Sequence, residues 1–532
     1  MTLARIISIR LQDRLIVRIL EIFLIFLVTV ATNFSFSGYM INEVDVLPDA
    51  RQFFEHNWLP NDWYLNLDIE YRYLFNSIFG PIISWLGFKY GALFTRSLIY
   101  FFLAFALHCF FRTIHLRFSL MLLVVYFFLK HQSLVADEWI IGGAETKSIA
   151  YAFVLLSFSA FFLKHYGYGF ALAGMAMSFH VLIGLYPIFC TAGALLANWK
   201  TYSSEWQTIA SRSWVFFVTG IFGLRTIIAH LMPHVSIDVI RASDIYVNYR
   251  LPHHLLPAAW GQDLWVLVLA LATCFFLTIY FIGRSRIYKF IAAYALGSVL
   301  LFVLGISIYK LGHTHLLKYY WFRFPDVMVP FMSCVLTGLI LNAFANGYLP
   351  LRYLPHIPWH RMLPVLSRGL SVVLIIFAAG VIFRSTWQLQ EKLLNSIRAG
   401  ERDSGENAPM LEWIKENTPK DAVFLIDPTM SDFYIYPQRA VFVTFKHLPQ
   451  SEADILEWYE RIKLCNGNRD PEKKGFKSIN ELKSHFYNLD ENIIKRISDL
   501  YDIDYYLGLS ERPLTFKREH SINGYTLYKI RR

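Results

Sequence analysis

Apolar residues run in long blocks over the first 387 residues, broken by short polar stretches, and give way beyond that to a mixed pattern. Eleven blocks stand out, at roughly 17–36, 91–111, 118–132, 147–163, 168–179, 181–197, 213–232, 264–282, 289–308, 326–345 and 366–385. A helix needs about 20 residues to cross ~30 Å of hydrocarbon, and backbone groups in lipid must bond within their own segment. Each block therefore predicts a membrane helix. Pro187 and several glycines interrupt 168–197, which reads either as two short spans or as one long tilted helix. Glycines, serines and charges over 400–407 predict a linker within 388–407. Past it, short β-rich runs (422–426, 440–444, 504–507, 525–530) alternate with helical spacing (410–417, 451–464, 479–488, 491–500), which predicts a small α/β domain over 408–532.

Basic residues beside the spans orient them. Arg5, Arg10, Arg14 and Arg18 place the N-terminus in the cytoplasm, and the first block is long enough to be a retained signal anchor. Arg112 and Arg117, then Arg284, Arg286 and Lys289, then Arg352 and Arg361 mark further inner turns. Eleven crossings would put the α/β domain outside, with loops 38–90, 132–146, 233–263 and 309–325 on the same face. Apart from His180, Arg225 and His230, the spans read as nearly free of ionisable groups, which argues against a proton-coupled pump.

Composition agrees with this reading. Hydrophobic residues make up 55% and charged residues 17% of the 532, outside the range of a soluble globular chain. The net charge of +10 lies largely in short orienting loops, so it does not call for nucleic acid. Five scattered cysteines give no CxxC spacing and no disulfide framework.

The outer loops carry the candidate chemistry. Glu43, Asp45 and Asp49 lie just past the first span; a carboxylate there can act as a general base or hold a divalent cation, or simply face water. Residues 48–55 have helical spacing, and 66–79 predict an amphipathic helix along the interface. Glu145 and Lys147 follow Gly142-Gly143. Glu145 either caps a helix or lines a cavity in which the glycines let a ligand approach the backbone. In the later loops Arg323, with Lys318, His313 and His315, suits a phosphate or pyrophosphate, or snorkels to headgroups; no third ligand is spaced to make the two histidines a zinc site. Arg250 adds a cation. His180 is either functional or a neutral imidazole bonded to backbone.

Several stretches carry a resemblance: Leu59-Pro60-Asn61-Asp62-Trp63-Tyr64, 142–147, 178–184, 318–326, 413–419, 439–449 and 457–461. Over most of its length the chain resembles a family of uncharacterised bacterial multi-span membrane proteins, and in architecture the C-type glycosyltransferase (GT-C) superfamily. That resemblance implies a polytopic helical protein of the bacterial inner membrane. It would move a sugar from a polyprenyl-phosphate carrier to an acceptor on the outer face. Asp45 or Asp49 would be the base, and Arg323 with neighbouring cations would stabilise the departing lipid phosphate. No metal is required. The alternatives are a transporter or flippase and a non-catalytic scaffold.

Overall fold

The computed structural model describes residues 3–68, 70–231, 239–261, 264–281, 285–347, 359–399 and 407–531. Asp238, Arg284, Arg352 and the linker stretch 400–406 lie outside the described residues.

The chain opens with α1 (Leu3–Asn33), α2 (Glu43–Phe54), α3 (Tyr73–Thr113), α4 (Phe118–Lys130), α5 (Thr146–Phe162), α6 (Tyr166–Phe179) and α7 (Val181–Ala197). Short helices α8 (Trp199–Tyr202), α9 (Trp206–Arg212), α10 (Trp214–Thr219), α11 (Ile221–Leu231), α12 (Val239–Asp244) and α13 (Pro252–Leu255) come next. Long ones return with α14 (Leu264–Phe281), α15 (Arg286–Lys310), α16 (Arg323–Ala345) and α17 (Trp359–Ala399).

Every apolar block is helical, but eleven crossings is more than these helices provide. Among the described residues five stretches are long and apolar enough to cross a membrane: Arg14–Asn33, Tyr73–Thr113, Arg286–Lys310, Arg323–Ala345 and Pro364–Ile397. A pair bent by 89°, Val181–Ala197 with Trp199–Thr219, raises the number to six at most. The reason is length. A helix rises 1.5 Å per residue, so the 13 residues of α4 reach only about 20 Å. The protein is a multi-pass membrane protein; among its shorter helices α5 is almost wholly buried, whereas α10 and α11 expose Trp214, Phe217, Ile221 and Ile228.

Three local departures shape the polar side of the bundle. α2 starts at Glu43 rather than Pro48, which puts Glu43 and Asp45 in its first turn, where the helix dipole favours negative charge. α3 is not the interfacial helix expected over 66–79; it begins at Tyr73, bends sharply at Gly87 (φ 71°, ψ 171°), and its second arm is the span. α6 and α7 are separate helices, divided at His180 by an extended residue (φ −153°, ψ 108°).

The C-terminal unit comprises α18 (Ala408–Asn417), β1 (Val423–Leu425), β2 (Ala440–Val441), α19 (Glu452–Cys465), α20 (Ile479–Tyr487), α21 (Glu491–Tyr501), β3 (Tyr505–Leu509), β4 (Lys517–Ile522) and β5 (Tyr525–Lys529). The strands form one mixed sheet in the order β2-β1-β3-β5-β4, parallel across β2-β1-β3 and antiparallel across β3-β5-β4. β4 has no counterpart among the sequence expectations because it is largely polar. α17 also runs on through Gln388, so the polar tail is not separated from the last span at that residue.

Strand alternation divides the sheet into two cores. Phe424, Val441, Tyr505, Leu507 and Leu527 face α18 and bury Leu59, Tyr64 and Leu65 of the first loop. Val423, Leu425, Tyr506 and Tyr528 face α19–α21 and join Tyr246, Val247 and Tyr249 of the third loop and Leu317, Tyr320 and Phe322 of the fourth. The sheet is therefore built into the loops of the membrane bundle, not tethered to them.

Candidate functional site

Two carboxylates of α2 converge on one cation. Asp45 and Asp49 are four apart, so a helix puts them on one face. Arg72, just before α3, donates Nη2–H to Asp45 Oδ2 at 2.5 Å and Nη1–H to Asp49 Oδ2. Tyr64 donates its hydroxyl to Asp45 Oδ1 at 2.9 Å. Burial pushes both acids up. At Asp45 the Arg72 guanidinium, with His447 and Lys446 behind it, outweighs burial and holds the carboxyl well below its usual range. At Asp49 burial wins against Arg72, and the charge of Asp45 adds to it, so this acid is raised. Asp45 is thus held ionised, and Asp49 is the more readily protonated of the two. The Arg72 guanidinium bridges the two carboxylates. Among the described residues no three His, Cys, Asp or Glu side chains converge as a metal site.

Glu43 belongs elsewhere. It accepts from Arg96 Nε at 2.8 Å and from Arg96 Nη2, and also from the backbone N–H of Ala144 at 2.7 Å and Met40 at 2.9 Å. Both side chains are fully sealed, at 0% exposure. A Cβ on Gly143 would sit 2.8 Å from the Glu43 carboxylate. The glycine admits the protein's own side chain rather than a ligand. Glu145 occupies the N-cap position of α5 but makes no side-chain cap bond. It accepts instead from Trp139 Nε1 and Gly143 N, each at 3.1 Å, and from Asn42 Nδ2 at 3.1 Å, which ties loop two to α2.

Loop two also brings Glu138 to Arg323 and Lys147. Arg323 Nε donates to Glu138 Oε1 at 2.6 Å, and Lys147 Nζ to Oε2 at 3.0 Å. His254 Nδ1 lies 3.9 Å from Oε1. Burial would raise Glu138, but Arg323 and Lys147 hold it well below the usual carboxylate range. Burial drives His254 down to about 4, so it is a neutral imidazole. Asp326 at the start of α16 fixes the loop: it accepts from Ser133 Oγ at 2.6 Å and the backbone N–H of Val135 at 2.7 Å and Ala136 at 2.9 Å.

The C-terminal unit supplies the roof. Asp62 accepts from the N–H of Leu65 at 2.8 Å and Val441 at 3.0 Å and from the Tyr434 hydroxyl at 3.1 Å, pinning the sheet to the first loop. Burial raises it to about 6. His447 is bonded to the Val44 carbonyl at 3.1 Å, and its ring lies 5.2 Å from that of Tyr64. Lys446 donates to Asn42 Oδ1 at 2.7 Å.

These groups gather around one partly open region, the recess, rather than a sealed core. Asp45 keeps 13% of its side-chain surface, Arg72 11%, Arg323 18% and His254 16%, although all four lie deep within the protein. His180 stands in the fields of Arg323, Lys147, Glu138 and Arg72, and Tyr246 in those of Arg323 and Tyr71. Groups from loops one, two and four thus act on His180, whose Nδ1 accepts from Ile183 N at 3.5 Å.

Other expected members are not in the recess. His313 and His315 are exposed, their ring centroids 5.9 Å apart. Lys318 reaches away to Glu452 at 2.9 Å, fastening α19. Arg250 is buried against the tail, donating to the carbonyls of Phe445 at 2.7 Å and Lys446 at 3.3 Å.

Sequence reasoning passed over Arg72, Glu138, Lys446 and His447. It also counted the spans as freer of charge than they are: Glu21 of α1 is buried and accepts from Arg112 Nε at 3.1 Å, with His108 Nε2 at 2.8 Å, at the end of the bundle away from the recess. A charged residue inside an apolar block is a signal of a buried pair; Arg96, Glu21 and His108 carried it.

A family model, described as a domain of unknown function (DUF6798), matches residues 406–465. That stretch takes in α18, β1, β2 and all of α19, together with Lys446 and His447. No curated protein matches the chain.

Proposed function

We propose that the protein is a C-type membrane glycosyltransferase. It moves a sugar from a polyprenyl-phosphate carrier to an acceptor hydroxyl, in a recess on the outer face of a bacterial inner membrane, with the N-terminus in the cytoplasm and the sheet unit outside. One observation carries the reading: a first-loop carboxylate held ionised, Asp45, and cations from the later loops gather in one partly open region between the bundle and the sheet.

The chemistry suits the geometry. An acceptor hydroxyl becomes acidic as its oxygen bonds to the anomeric carbon, so even a carboxylate held well below its usual range can take the proton at that moment. Arg72 and Tyr64 hold Asp45 in a fixed orientation. Fixed cations opposite it would stabilise negative charge growing on the leaving phosphate. Asp49, whose carboxyl is raised by burial and by the Asp45 charge, is the weaker candidate for the base.

The test is sugar loss from a panel of polyprenyl-phosphate-linked hexoses and pentoses incubated with membranes holding the full chain. Asp45→Asn is expected to slow transfer roughly a hundredfold or more, as removal of a general base does, and Asp49→Asn to cost less. A donor panel that stays intact, or an Asp45→Asn protein as fast as wild type, would refute the enzyme. A second reading, a transporter, draws on the buried Glu21–His108–Arg112 group; Glu21→Gln would then abolish uptake into vesicles.

A further inference from the structure

The two arms of α3 do not share an axis. A Cβ on Gly91 would lie 3.1 Å from Ile83 Cα, whereas residues eight apart in an unbroken helix stand about 12 Å apart. The chain therefore folds back at Gly87. The second arm, 88–113, is about 39 Å long and crosses a bilayer unaided. Its exposed residues Phe94, Leu98, Phe101 and Phe105 recur at helical spacing and form one lipid-facing stripe. One turn above Phe94 the stripe ends at exposed Tyr90, beside Lys89; such residues mark the edge of the hydrocarbon.

The first arm, 73–86, is not needed for crossing, yet its outward face is apolar. Leu74, Ile78, Pro81 and Trp85 fall within about 60° of one another around the helix. Phe75, Phe79 and Ile83 lie on the other side and are buried. Trp85 is 85% exposed and Ile78 is exposed too, while Leu74 and Pro81 are half-buried. A contiguous apolar face of this kind is an interaction surface.

We propose that the first arm of α3 is a membrane-surface arm, with Leu74, Ile78, Pro81 and Trp85 set into the headgroup–acyl boundary of the leaflet on the recess side.

Lipid is the occupant for three reasons. The apolar arc starts where the lipid-facing stripe ends, on the two sides of one bend. Its far end leans on a second helix that faces outward: Tyr73 stacks on Phe222 of α11 with ring centroids 5.2 Å apart, and α11 exposes Ile221 and Ile228. A stable protein partner takes about 20–30 residues a side, far more than this narrow arc offers. The interfacial segment is thus 73–86, bounded by the bend, rather than 66–79. The arm carries the site with it. Arg72 directly precedes it, and α2 lies against it, where a Cβ on Gly80 would strike the Ala50 carbonyl. Near the bend Ser84 donates to Glu55, just past α2. Asp45, Asp49 and Arg72 therefore stand one helix diameter, about 10 Å, from the lipid face, and the recess meets groups held at headgroup depth. This placement rests on exposure and helix direction and not on sugar transfer.

The experiment reads tryptophan fluorescence of the full chain in nanodiscs of phosphatidylcholine brominated either near the headgroup end or near the methyl end of the acyl chains. Subtracting the spectrum of Trp85→Phe from that of wild type isolates Trp85 among the 14 tryptophans. The substitution keeps an exposed aromatic ring, so the fold is kept. The Trp85 component is expected to be lost in the headgroup-end lipid and largely retained in the methyl-end lipid. The component of Trp413 in α18, isolated in the same way with Trp413→Phe, should be retained in both. A Trp85 component retained in both lipids overturns the proposal, and an oxidised dimer through Trp85→Cys would then make a second copy the occupant. Stronger quenching by the methyl-end lipid overturns it as well. Headgroup-end quenching without sugar transfer would sink the enzyme reading alone. Transfer with an unquenched Trp85 would sink this placement alone.

Discussion

Glu43 and Asp45 are two residues apart in the first turn of α2, yet they live in different physical settings. Glu43 and Arg96 are closed off completely, and every oxygen of the carboxylate has a protein donor. Asp45 and Arg72 keep 13% and 11% of their side-chain surface. A sealed pair holds the loop, the membrane helix and loop two in register. An open pair has room for another molecule. The helix makes the separation, because residues two apart point about 200° from one another. Acidity in a loop is therefore not what marks the site; the direction of the side chain on α2 is.

Four experiments bear on this contrast. The largest effect is expected from Glu43→Gln, which strands the buried Arg96 charge. Breaking such a pair costs about 3–5 kcal/mol, to be read as a lowered Tm or loss of folded protein in membranes. An unchanged Tm would mean that the pair is not the staple it looks like. Asp45→Asn comes next: transfer falls roughly a hundredfold or more, while Tm drops by less than for Glu43→Gln. Should the two variants show equal loss of Tm, the division between sealed and open would fail.

Third is the pH response of the roof. Burial pushes His447 down to about 4 from its ordinary 6.5, against the pull of the Asp45 charge. The unfolded chain takes up this proton first as pH falls. Stability from His447 is therefore complete above about 6.5 and is lost as pH falls toward about 4, by roughly 3 kcal/mol. His447→Gln should flatten that part of the Tm-against-pH curve; an identical slope would place His447 outside the buried contact. The smallest effects belong to His313→Ala and His315→Ala. Both are exposed and outside the recess, so each should stay within ~0.5 kcal/mol in stability and leave sugar release unchanged.

Much of the C-terminal unit was legible as local pattern. The strands β1, β2, β3 and β5 and the four helices of the tail fall where β-rich runs and helical spacing put them. β4 was missed because polar residues at an exposed edge leave no apolar alternation. The candidate site was legible in part. Asp45, Asp49, Glu145, Lys147, His180 and Arg323 are brought together, whereas His313, His315 and Lys318 are not. Arg72 was hidden because a lone arginine before an aromatic helix looks like an interfacial anchor. Lys446 and His447 were hidden because they lie nearly 400 residues from the acids they face.

The sequence by itself determined that this is a helical membrane protein with a sheet-bearing tail. Hydrophobic run length and strand alternation are local properties, and the energy of burying them does not depend on what lies across the fold. It did not determine how many helices cross, or which carboxylate is sealed and which is open. Those depend on pairing at a distance. Whether an arginine is neutralised is settled by the one carboxylate within about 4 Å of it, where Coulomb attraction in a poorly screened interior is decisive, and only the tertiary structure chooses that neighbour.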